Sequence, residues 1–156
     1  MDKFDEMILH ALVENGRLTY AELARRVNLS PPAVAERVAK LEAKKVITGY
    51  HAQVNLAKLG LGISFLLELR INHQHWQSTL QAISRMPQIL QCYRVTGEAC
   101  VVVKGAVTNM AELEAFIEQV SRYGATKTSV ILSAPVDRAA PLPARRMSSV
   151  GETGLP

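Results

Sequence analysis

The stretch Thr19-Tyr20-Ala21-Glu22-Leu23-Ala24-Arg25-Arg26-Val27-Asn28-Leu29-Ser30-Pro31-Pro32-Ala33-Val34-Ala35-Glu36-Arg37-Val38-Ala39-Lys40-Leu41-Glu42, followed by Val46-Ile47-Thr48-Gly49-Tyr50, reads as two short helices meeting at a sharp corner. Leu23 and Val27 lie one helical turn apart on an apolar face, and Ala24 between them is small enough for a second helix to cross closely. Asn28 tolerates the left-handed conformation, so it ends the first helix where glycine is more usual. Ser30 suits an N-cap and Pro31 the first helical position, where a missing N–H costs nothing. The second helix buries Val34, Val38 and Leu41 at helical spacing and points Pro32, Ala33, Glu36, Arg37 and Lys40 outward. Residues 47–54 then alternate as a strand or wing does. The pattern is a winged helix-turn-helix.

In such a pair the second helix lies in the major groove of DNA with its N-terminal residues toward the base edges. Phosphates favour helix N-termini and cationic side chains, which makes Arg25, Arg26, Arg37, Lys40, Lys44 and Lys45 candidate backbone contacts. Ser30, Pro31, Pro32, Ala33 and Glu36 complete the candidate DNA-binding set. Between residues 23 and 45 the six basic side chains face only Glu36 and Glu42, a local excess of four positive charges. The alternative is a three-helix protein-interaction module with a solvated charged face.

The chain has 156 residues, a formal net charge of +4 and 48% hydrophobic residues, enough for one or two small cores. No apolar run is long enough to span a bilayer, and the N-terminus lacks the basic-then-apolar form of a signal peptide. A cytoplasmic, nucleoid-associated protein without a membrane partner is the expectation. The two cysteines, Cys92 and Cys100, flank a turn at residues 96–98. Across a hairpin ladder they are candidates for a disulfide; the competing reading, two reduced thiols acting as small hydrophobes, suits a reducing compartment better.

A helix over residues 4–14 carries Phe4, Ile8, Ala11 and Leu12 on one side, with Asp2 and Asp5 in its first turn and Asn15-Gly16 at its end. Residues 1–54 are thus assigned to the DNA-binding domain and residues 55–62, with Gly60 and Gly62, to a hinge. From residue 63 the hydrophobic period changes. Strands are expected at 63–71, 89–96, 100–107 and 128–136, and helices at 76–86 and 110–123. This twice-repeated strand-helix-strand is the split β-α-β of a ferredoxin-like domain, residues 63–136, so the fold class is α+β. Residues 137–156, rich in proline, arginine, serine and glycine, read as a tail that buries too little apolar surface to fold alone.

A sheet covered by helices on one side should alternate, yet Val101-Val102-Val103 is apolar throughout and Leu66 interrupts the polar register of residues 63–71. Apolar residues on the uncovered face need a cover, and a second copy of the same sheet supplies one, so a homodimer is expected. A monomer with a well-filled sheet is the alternative. Paired recognition helices would also read the two half-sites of a near-palindrome.

The residues Asp5-x-x-Ile8-Leu9, Asn15-Gly16-Arg17, Leu29-Ser30-Pro31, Glu36-Arg37-Val38-x-x-Leu41-Glu42, Val46-Ile47-x-Gly49-Tyr50, the hinge Asn55-Leu56-x-x-Leu59-Gly60, and Val95-Thr96-Gly97 resemble the Lrp/AsnC, or feast/famine, transcription regulators. The resemblance spans residues 2–133, and features around Ser30-Pro31-Pro32 and Cys92-Tyr93-Arg94 are similar to an LrpC-like branch of that family. It implies a homodimer built through the C-terminal domains, assembly into an octamer, and double-stranded DNA as partner. It also implies an amino acid or related small-molecule effector bound between C-terminal domains, with no other cofactor. The effector loop here reads Gly97-Glu98-Ala99-Cys100 where many members carry Gly-Asp-Tyr-Asp. An amino acid needs an acceptor for its ammonium and donors for its carboxylate; Glu98 and the loop amides supply these, while Ala99 and Cys100 bring no side-chain polar group. Thr126 and Thr128, taken as lying in the loop before the last strand, match a polar stretch beside the pocket of relatives. Effector sensing and effector-free DNA bridging are both left open. Lys45 also departs from the family, which usually has glycine there.

His73-Gln74-His75 falls short of a metal-ligand set, having no cysteine or carboxylate near it in sequence. No phosphate loop, nucleophile elbow or paired-carboxylate pattern points to catalysis. Haem-pathway decarboxylases resemble the family in fold, but the arginines they would need, Arg70, Arg85 and Arg94, are dispersed here. No catalytic residue and no metal ligand is assigned.

Overall fold

Asp2 starts the first helix by accepting a hydrogen bond from the Asp5 amide, while the Asp5 carboxylate accepts one from the Asp2 amide, a reciprocal capping box. The computed structural model describes residues 1–71 and 76–137, so the His73-Gln74-His75 segment and the tail beyond residue 137 lie outside the described residues. Contacts divide the chain into two compact units, Met1–Ala52 and Gln53–Pro135.

The first unit holds α1 (Lys3–Glu14), α2 (Tyr20–Val27) and α3 (Pro31–Ala43). A second capping box, Thr19 with Glu22, opens α2. Asn28 takes the expected left-handed conformation at φ 55° and ends it. Ser30 caps α3, accepting a 3.4 Å hydrogen bond from the Ala33 amide, with Pro31 at the first helical position as anticipated. Ile8, Leu23, Val27, Val34, Val38 and Leu41 are buried together, one apolar seam shared by three helices. Each such side chain contributes about 1.5–3 kcal/mol by leaving water, which is why three short helices hold together where none would alone.

The wing is a correction. Residues 48–55 contain no strand, and Tyr50 and Val54 are exposed. Alternation is there in the sequence, but the unit supplies no second strand to pair with, and an unpaired strand has no ladder to hold it. Tyr50 returns to α3 instead, its hydroxyl donating to a Glu42 carboxylate oxygen at 2.9 Å.

The second unit opens with a 3₁₀ turn, Ala57–Leu59, closed by Gly60 at φ 84°. There follow β1 (Ile63–Ile71), α4 (Trp76–Ser84), β2 (Ile89–Arg94), β3 (Val101–Val107), α5 (Met110–Ser121) and β4 (Gly124–Val130). The sheet order is β2-β3-β1-β4 with each neighbouring pair antiparallel, the ferredoxin-like arrangement expected. Phe65, Leu67, Leu69, Val101 and Val103 meet Ile83 of α4 and Leu113, Phe116 and Val120 of α5 in the core. Gly105 lies beneath the Phe65 ring, where an added Cβ would also come within 2.8 Å of the Gln88 carbonyl oxygen.

β4 begins four residues earlier than the sequence reading placed it. Gly124 pairs with Ile71 at a point where a side chain would collide with the Arg70 carbonyl oxygen, and the ladder runs on to Val130 opposite Phe65. Thr126, Lys127 and Thr128 have the polarity of a loop, but threonine is β-branched and fits a ladder. They are strand residues. The cysteines also differ from a cross-ladder pair: Cys92 lies opposite Val103, the Val95 amide donates to the Cys100 carbonyl, and both thiols are free. Among the described residues no helix is long and apolar enough to cross a membrane.

Lys45 follows α3 in the left-handed region at φ 57°. A side chain there costs of order 1 kcal/mol against glycine. Lys45→Gly is therefore expected to raise the unfolding free energy of the first unit by about that amount, measured by denaturant titration; an unchanged or lower value would contradict a strained Lys45.

Candidate nucleic-acid interface and effector loop

Ser30, Pro31, Pro32, Glu36, Lys40, Lys44 and Lys45 are exposed on or beside α3, and Ala33 is half-buried among them. Arg25 and Arg26 are exposed on α2. The structure thus brings the candidate DNA-binding residues onto two successive helices around one corner. Their charges are not equivalent. Lys40 pairs with Glu36 at 2.6 Å, one turn away on the same helix, and Arg26 reaches Glu14 at 3.4 Å. Arg25, Lys44 and Lys45 form no ion pair among the described residues.

Arg37 differs from the outward placement read in the sequence. One guanidinium nitrogen donates to Asp2 at 2.7 Å and to Asp5 at 2.8 Å, and the group stacks 5.4 Å from the centre of the Phe4 ring. Its side chain is 29% exposed. The sequence reading missed these partners. Asp-x-x-Asp at the start of α1 is a visible cap signal, but nothing in the spacing joins it to a residue more than thirty positions later.

Each aspartate divides its two oxygens between the cap and Arg37. The cap bond from the neighbouring backbone amide, and after it Arg37, hold both carboxyls below the ordinary range. The Tyr50 phenol moves the other way: burial first, then its bond to Glu42, push it up to about 12.

In the second unit the candidate effector residues do not share one face. Gly97 turns the loop at φ 108°, and the Cys100 amide donates to the Leu69 carbonyl at 3.1 Å. Glu98 is bound by Arg70 twice, carboxylate to guanidinium at 2.8 Å and backbone carbonyl to Nε at 3.2 Å. Ala99 and Cys100 are half-buried. Thr126 and Thr128 pair with Leu69 and Leu67, on the helix-covered side, whereas Arg70 belongs to the opposite side. The Thr128 hydroxyl is buried without a hydrogen-bond partner among the described residues.

The uncovered sheet face carries Leu66, Val102 and Tyr93. Val102 lies opposite Tyr93 on β2 and diagonal to Leu66 on β1, and Leu66 and Tyr93 are 40% and 50% exposed. Glu68 and Lys127 pair at 3.8 Å beside this stripe.

Comparison with known proteins follows the same division. Residues 1–42 match the AsnC-type helix-turn-helix domain and residues 64–141 the Lrp/AsnC ligand binding domain. The chain is 36% identical over 133 residues to the HTH-type transcriptional regulator LrpC of Bacillus subtilis, covering 85% of this chain and 92% of that protein. The solved structure of that LrpC superposes with a TM-score of 0.83, covering 88% of this chain and 97% of the other. The proline dehydrogenase transcriptional activator of Rhodobacter capsulatus is 32% identical, over 90% of this chain and 96% of its own. A Neisseria meningitidis transcriptional regulator solved as its L-Met complex is 28% identical, with a TM-score of 0.85 over 91% of this chain and 97% of that one.

A carboxyl held low in the folded chain stabilises it fully above its unfolded value near pH 4, and that stabilisation disappears as pH falls through the lowered folded value. The melting temperature of the first unit should accordingly drop below about pH 4, and Asp2→Asn/Asp5→Asn should show a smaller acid drop from a lower starting point. Parallel pH profiles for the two proteins, by thermal melting, would refute the assignment.

Proposed function

Because this chain belongs to the Lrp/AsnC family of transcriptional regulators, we propose that it acts by laying α3 in the major groove, twice per homodimer, with an amino acid or related molecule adjusting assembly or affinity. The chain is a DNA-binding transcriptional regulator and not an enzyme. The observation that carries the docking reading is the Ser30-capped start of α3, with Pro32, Ala33 and Glu36 beside the cationic Lys40 and Lys44. Pro32, Ala33 and Glu36 face base edges; Arg25, Arg26, Lys40, Lys44 and Lys45 hold phosphates. Work on DNA puts the protein at the nucleoid, in the cytoplasm.

Pairing of two copies through the uncovered sheet is supported by the Leu66–Val102–Tyr93 stripe, since apolar side chains left in water gain by mutual burial. Dimers then assemble to an octamer as the family resemblance implies. Effector binding is supported by the ligand-binding family model and by the L-Met complex of the Neisseria relative. The pocket would use the amides of Gly97, Glu98 and Ala99 with the Glu98 carboxylate, because the Cys100 amide is bound to the Leu69 carbonyl and Thr126 and Thr128 lie toward the helix-covered side. A second reading, DNA bridging without an effector, is favoured by the engagement of Glu98 with Arg70, which leaves the acidic group already neutralised. Gel shifts on bound genomic fragments, with and without L-methionine and the other amino acids, separate the two.

Phosphate contacts release counterions, so each contributes about one unit to the slope of log K against log salt. Lys44→Ala and Lys40→Ala are each expected to reduce that slope by about one while weakening all DNA sequences alike. Unaltered slopes in both would exclude this face. Leu66→Glu/Val102→Glu should convert the dimer to monomer in sedimentation equilibrium with the second unit still folded; a persistent dimer would place the interface elsewhere.

A further inference from the structure

Arg37 stands one turn beyond Ala33 and one before Lys40 on the helix proposed to enter the groove, yet its charge is paired within the protein, by two carboxylates at the start of α1. Two carboxylates take its guanidinium, and all four of their oxygens are used, two for Arg37 and two for the α1 cap. A phosphate approaching this guanidinium would meet two anionic groups already bound to one cation, so the local field repels it. The stacking on Phe4 adds a contact that depends on Arg37 pointing toward α1.

We infer that Arg37 is a positioning residue, clamped by Asp2 and Asp5, that fixes α3 against the start of α1 for groove entry and makes no phosphate contact of its own. This rests on the reading of α3 as the groove helix. The geometry suits an arginine: one end nitrogen of the guanidinium reaches both carboxylates while the group stacks on the Phe4 ring, and the macrodipole of α1 keeps those carboxylates in place. Base-facing residues near Pro32 and Ala33 depend on where α3 sits, and the α1 clamp is the polar tie that adds direction to an otherwise apolar seam.

The two roles predict opposite results for a partner mutation. Asp5→Asn, which removes a negative charge near the DNA, should strengthen binding if Arg37 is a phosphate contact and weaken specific binding if Arg37 positions α3. We expect Asp5→Asn and Arg37→Gln each to weaken binding to the preferred site by about two- to fivefold, the scale of a partly exposed ion pair. Both should lower the ratio of specific to nonspecific affinity while leaving the salt slope unchanged, and Arg37→Lys should recover part of the ratio, because an ammonium still bridges two carboxylates. The measurements are fluorescence-anisotropy titrations over a salt series with preferred and scrambled duplexes, far below each variant's melting temperature. Tighter binding by Asp5→Asn, or a salt slope reduced by about one in Arg37→Gln, would overturn the inference in favour of a phosphate contact. A lower melting temperature with an unchanged specificity ratio would overturn it in favour of a purely structural tie. If Arg37→Gln does not fold, Asp5→Asn and Arg37→Lys decide. Failure of the unmodified chain to prefer any duplex would instead bring down the groove reading itself.

Discussion

Asn28, held at φ 55°, turns the chain between α2 and α3, and the geometry of the first unit follows from that one left-handed residue. With it the Leu29 amide reaches back to the Ala24 carbonyl at 3.1 Å, Ser30 is free to cap α3, and Leu23 and Val27 face Val34 and Val38. A β-branched residue at position 28 would resist that conformation, and the two apolar faces would not meet. The corner needs no other device, since burial of the seam supplies the energy and the caps set the register.

Charge is then distributed by the same local chemistry. Caps at the start of α1 require acceptors, which places Asp2 and Asp5 where the N-terminal dipole holds them ionised. Once there, they draw in Arg37 and divide the two basic residues of α3, Arg37 facing the protein and Lys40 facing solvent. A count of positive charge along the sequence therefore overstates what the surface offers: Arg37 is neutralised, Arg26 and Lys40 are paired at the surface, and Arg25, Lys44 and Lys45 extend unpaired among the described residues. Exposed pairs such as Lys40–Glu36 are weak and exchange readily for a phosphate.

The second unit obeys a different constraint, that of a sheet with helices on one side. Glycine at 105 and at 124 lets backbone or ring approach closely, and α4 and α5 close the core over Phe65, Leu67 and Val103. What remains on the other face is a mixed surface, apolar along Leu66, Val102 and Tyr93 and ionic at Glu68 and Lys127. The Arg70–Glu98 pair pins the loop after β2 to β1, coupling the proposed effector segment to the strand at the centre of the sheet.

The helices of the first unit, the left-handed Asn28, the Ser30 cap and the strand-helix alternation of the second unit were legible in the sequence, because each is set by residues within a few positions of one another. The wing and the start of β4 were misread for the complementary reason: alternation at residues 47–54 finds no partner strand, and polar Thr126 and Thr128 do find one in β1. Of the candidate site, the sequence identified the exposed side chains of α3 but not the direction of Arg37, whose partners lie across a helix packing. Local propensity and periodicity determine which elements form; which charges meet, and which threonines enter a ladder, depends on distances between segments far apart in the chain, and those exist only after folding.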